Sequence, residues 1–106
     1  MLQWALGLAP DLRYPSGICD VPAVARIMLG ASEEALLQGA ELHPIGTLLD
    51  ALDLHLRLHW AVRQARLDGN GGMKGLDPGV IQERHHALNW LVRFEDADWD
   101  DVDTPT

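Results

Sequence analysis

Between Pro44 and Leu67 apolar side chains recur on two sides of a helical wheel at once. At ~100° per residue, Ile45, Leu48, Leu49, Leu52, Leu56, Trp60 and Leu67 share one side, while Ala51, Leu54, Leu58, Ala61, Val62 and Ala65 share a nearly opposite one. A narrow seam of Asp50, Asp53, Arg57 and Gln64 separates them. Read linearly, the middle of the segment, "DLHLRLHW", alternates polar and apolar residues like a half-buried strand. Its flanks, "IGTLLDAL" and "AVRQAR", have no strand character, and no strand partner lies nearby. The wheel therefore predicts a helix over 44–67, placed centrally because both sides ask to be packed.

The other elements follow from their stop and start signals. "LQWALGL" (2–8) reads as a short helix, followed by an irregular connection around Pro10 and Pro15. Asp20 is an N-cap for "VPAVARIML", with Pro22 in the first turn and Gly30 at the end. Ser32 caps "EEALLQGAEL", which His43-Pro44 interrupts. "DGNGGMKG" (68–75) is a glycine-rich loop. Asp77-Pro78 then caps a last helix, "GVIQERHHALNWLVRF". The expectation is an all-α small bundle of about four helices plus a short N-terminal one, one domain over 1–106. Residues 95–106 form its acidic tail, docked by Trp99 with Asp100 and Asp101 beside it.

Charge changes this picture little. The formal net charge of −8 disfavours nucleic acid and anionic membrane surfaces, both of which select for lysine and arginine. Much of it sits in "EDADWDDVD", so the body is closer to neutral. Cys19 is the only cysteine, which excludes an internal disulfide and suits a reducing, cytoplasmic setting. No stretch reaches the ~18 apolar residues of a membrane span.

The candidate chemistry lies where charges enter apolar arcs. On the last helix Glu83 and Arg84 fall among Val80, Ile81, Ala87, Leu88 and Leu91, whereas His85, His86 and Asn89 fall outside or at the edge. A charge inside such an arc needs a partner. Asp53 and Arg57 offer one each, which predicts a neutral cluster pairing Asp53 with Arg84 and Arg57 with Glu83. His59 and Asn89 complete this candidate polar cluster. His55 and His59 one turn apart, with Glu83-x-x-His86, form a weak candidate metal set that lacks the further carboxylates of helical di-iron sites. No cofactor is called for.

"LQWALGL", "DLHLRLHWAVRQARLDG", "VIQERHHALNWLV" and "DWDDVDTPT" together resemble the C-terminal half of an uncharacterised bacterial family, domain of unknown function 4272. The pattern of that family falls on Asp53, Arg57, His59, Trp60, Glu83, Arg84, Ala87, Leu88, Asn89, Trp90, Trp99, Asp100, Asp101, Val102, Thr104 and Thr106, and Pro105 departs from it. The resemblance implies no activity. It does imply that apolar surface left by a missing half is covered by another chain, and a homodimer is the expected solution. The leading functional expectation is a non-catalytic interaction or regulatory module with a protein partner. Its rival is a small metal-dependent or acid/base enzyme built on Asp53, Arg57, His59, Glu83 and His86.

Overall fold

The computed structural model describes residues 1–69 and 71–106; Asn70, inside the expected glycine loop, lies outside them. Among the described residues the architecture is all-helical: α1 (Leu2–Ala5), α2 (Val21–Leu29), α3 (Glu33–Gly39), α4 (Ile45–Leu67) and α5 (Pro78–Leu91), with a 3-10 turn over Phe94–Asp96. The caps form as the side chains dictate. Asp20 Oδ1 accepts from the Ala23 amide at 3.1 Å, Ser32 Oγ from Ala35 at 3.1 Å, and Asp77 Oδ1 from Gly79 at 3.0 Å.

Three helices stop earlier than expected, each for a local reason. α1 ends at Ala5, where Gly7 takes a φ of 71° and turns the chain. α3 ends at Gly39 because residues beyond it run extended beside α1, with Glu41 N–H donating to Leu6 O and His43 N–H to Ala5 O. α5 ends at Leu91, since Arg93, Glu95 and Asp96 all adopt positive φ. Such backbone is strained in non-glycine residues. It is held by Arg93, which donates to Asp96 Oδ1 through Nη2 at 2.6 Å, and it sends the tail back along α5.

Among the described residues α4 and α5 form the one extensively packed helix pair. His59 meets His85, while Arg66 and Pro78 line one cavity near the connecting loop, so the helices run antiparallel. Leu48 and Val62 of α4 meet a core that includes Ile81 and Leu88 of α5, and Val102 of the tail is also buried. α4 is buried along one stripe only, Leu48, His55 and Val62, at heptad spacing. Its expected second packed side is not covered by any of the described residues: Ile45, Leu49, Leu56, Trp60 and Leu67 are exposed, Trp60 by 55%. α2 and α3 contain no buried residue at all.

The consequence is a large surface. The chain exposes 7265 Å², where a compact monomer of its 11.7 kDa would expose roughly 5,900 Å². Its radius of gyration, 15.0 Å, likewise exceeds the ~13 Å of a compact domain this long.

Candidate functional site

The polar centre of the molecule is made of histidines. His55 and His85 are 1% and 2% exposed, lying between α4 and α5 where the heptad stripe would place aliphatic residues. His59 Nδ1 stands 2.9 Å from His85 Nδ1, with the rings edge to face at a centroid distance of 5.2 Å. Two facing ring nitrogens hydrogen-bond only if one carries the proton and the other does not, so at least one imidazole is neutral at this nitrogen. Burial pushes the His85 pKa down to about 4, aided by His59 and His55. Burial also lowers His59, with Arg63 and Arg66 adding their field, and lowers His55 against the opposing pull of its backbone hydrogen bond.

His55 has a defined tautomer. Its Nδ1 lies 2.7 Å from Ala51 O, an acceptor, so Nδ1 carries the proton. Nε2 is left as a buried acceptor with no hydrogen-bond partner among the described residues. An orphan of this kind costs about 1–3 kcal/mol. His55→Leu removes it while filling the same stripe, and is expected to leave stability unchanged or raise it by about 1 kcal/mol in urea titration. A loss of 3 kcal/mol or more would mean that Nε2 is engaged.

The expected four-residue charge cluster does not form. Asp53 Oδ2 and Arg57 Nε pair with each other at 3.0 Å on the exposed side of α4, one helical turn apart. An acid followed by a base four residues later satisfies itself locally, and on the surface neither charge needs a partner from α5. Glu83 is exposed. Arg84 is half-buried, as its apolar arc implies, but its Nη1 donates to Arg13 O at 2.6 Å rather than to a carboxylate. Asp53, Arg57, His59, Glu83 and His86 therefore do not converge on one cleft. The metal candidates His55, His59, Glu83 and His86 are dispersed in the same way, and among the described residues no group of three or more His, Cys, Asp or Glu side chains is placed to hold an ion.

Asn89 and Trp99 organise the tail. Asn89 is buried and its Nδ2 donates to Asp103 O at 3.0 Å. Trp99 packs edge-on against Trp90 and His86, with centroids 5.2 and 4.6 Å away, while Asp100 and Asp101 face solvent. Arg63 Nη1 donates to Thr106 Oγ1 at 2.9 Å, tying the end of the tail to α4. His85 was the residue least visible in sequence; the one available signal was that Ile81, His85 and Leu88 share the i, i+4, i+7 spacing of a buried stripe.

One cavity borders this centre and a second lies apart from it. One, of about 220 Å³, includes His59, Arg63, Arg66, Gly72 and Gln82 in its wall. The other, of about 500 Å³, lies between the N-terminal segments and Arg84 of α5.

An all-helical domain with a histidine cluster between its two longest helices and a folded-back acidic tail is the class that these features define. The chain belongs to the family described as domain of unknown function (DUF4272), whose model matches residues 1–102. The match takes in the N-terminal helices together with α4 and α5, and is not confined to a C-terminal half. No curated protein and no solved structure matches it.

Proposed function

We propose that the protein is a non-catalytic interaction module that works as a homodimer, its copies meeting through the exposed apolar side of α4. The observation that carries this reading is the unpartnered stripe of Ile45, Leu49, Leu56, Trp60 and Leu67 on a helix of 23 residues. The surface in excess of a compact monomer, roughly 1,400 Å², is more than the ~800 Å² that each partner contributes to a standard interface. That excess is total surface, and the part of it on α4 is an apolar stripe of five large side chains, the kind of contiguous patch that marks an interaction site. A two-fold axis lets one stripe cover its own copy, with no second protein required.

The dispersal of Asp53, Arg57, His59, Glu83 and His86 supports a binding role over acid/base chemistry, which needs its groups in one solvent-reaching cleft. Light scattering on the full chain across a concentration series tests the reading. The expected mass is twice 11.7 kDa at high concentration, falling on dilution. A constant 11.7 kDa would remove it.

A further inference from the structure

Arg84 enters the larger cavity as a cation without a carboxylate. Its guanidinium has five N–H donors, and a single hydrogen bond, to the Arg13 carbonyl, is formed. Among the described residues the ion pairs are Arg57 with Asp53 and Arg93 with Asp96; none involves Arg84. Asp11 and Asp20 also border the cavity, but neither pairs with it, and Asp20 is occupied in capping α2. Burial pushes the Arg84 pKa down from its ordinary value, and Cys19, not a carboxylate, is the group that acts against it. Holding a half-buried cation without a counter-charge is unfavourable, and supplying one is correspondingly favourable.

The rest of the wall indicates what kind of anion would supply it. Trp4, Leu12, Ile18, Val24 and Ile27 give the cavity a largely apolar lining. Its volume, about 500 Å³, falls within the ~300–1,000 Å³ of ordinary small-molecule sites. Arg13 and the Met1 N-terminus also border the cavity, so phosphate is the competing anion; the Arg84 guanidinium matches one carboxylate with two parallel hydrogen bonds, and the apolar wall favours a ligand that carries a tail. We propose that this cavity binds a small amphipathic monocarboxylate, its carboxylate on Arg84 and its apolar tail against Trp4, Leu12, Ile18 and Val24. The site is separate from the exposed stripe of α4, so it stands or falls independently of self-association.

Octanoate, its neutral isostere octan-1-ol and inorganic phosphate are the probes, titrated calorimetrically into the full chain. Octanoate is expected to bind saturably, one per chain, at least about tenfold more tightly than octan-1-ol, the difference that one charge-assisted contact makes. Arg84→Met is expected to remove that preference while leaving octan-1-ol binding unchanged, and Arg84→Lys to retain part of it. Because Arg84 also ties down Arg13, a second measurement uses the unmodified chain. Cys19 is exposed and borders the same cavity, so octanoate should slow its alkylation by iodoacetamide at least severalfold. Equal affinity for octanoate and octan-1-ol, no saturation by octanoate at millimolar concentration, unslowed alkylation of Cys19, or tighter Arg84-dependent binding of phosphate would each overturn the proposal.

Discussion

Acidification from pH 7 to pH 4.5 is expected to destabilise the fold, by on the order of 2–3 kcal/mol from His85 alone. The direction follows from the pKa values. His85 titrates near 6.5 in the unfolded chain and near 4 in the folded one, so between these values the unfolded state holds the extra proton. Its stabilising contribution is complete above about pH 6.5 and is lost as pH falls toward 4. One pKa unit is worth ~1.4 kcal/mol. His55 and His59 are displaced the same way and add to the slope. The groups that bear on the cluster are mostly cationic: Arg84 acts on His55, and Arg63 and Arg66 on His59, while Asp103 alone pulls His85 upward.

The acid-rich composition works in the opposite sense. A chain of net charge −8 relieves self-repulsion as its carboxylates protonate, but that occurs mainly below about pH 4.5. Above it the histidines are the titrating groups. Urea titrations at a series of pH values should therefore show stability falling between pH 6.5 and 4.5 in the native chain. His85→Leu should flatten the curve. An equally steep fall in His85→Leu would show that the loss originates elsewhere.

The second large effect concerns the outer side of α4. Trp60→Glu places a charge on the exposed stripe, 55% accessible in the single chain, so the monomer fold should lose no more than about 0.5 kcal/mol. Within a dimer interface the same carboxylate would be desolvated without a partner, at a cost of several kcal/mol. A weakening of dimerisation by at least a hundredfold, about 2.7 kcal/mol, is expected in sedimentation equilibrium. Arg57→Ala, on the neighbouring polar seam, should leave association within a few-fold of native. Identical sedimentation of native chain and Trp60→Glu would argue against the stripe as the contact.

How far sequence reached depended on how local the determining physics was. α4 was legible because Pro44 opens it and the chain turns at Asp68-Gly69, and because the flanks of its alternating middle have no strand character. Asp20, Ser32 and Asp77 marked helix starts through one side-chain oxygen each. The facing of α4 was illegible for the same reason that its helicity was clear. With apolar residues on two sides, a wheel cannot say which side meets α5, and the structure chose the stripe holding His55. Pairing Asp53 with Arg84 failed because the wheel placed Asp53 and Arg57 one turn apart but could not show that their seam faces solvent, where they pair with each other. The return of the tail depends on positive φ at Arg93, Glu95 and Asp96, residue types that carry no such signal. Trp99 nonetheless stood out as an isolated aromatic among acids, and it packs edge-on against Trp90.

The central claim is that a second copy of the chain covers the leucine and tryptophan stripe of α4. The most direct test is isotope-filtered NMR on an equimolar mixture of labelled and unlabelled chain, which reports only contacts between copies. The account predicts cross-chain contacts from the Trp60 indole and from the methyl groups of Ile45, Leu49 and Leu56. Contacts confined to α2, α3 or the tail, or none at concentrations where the mass is doubled, would contradict it.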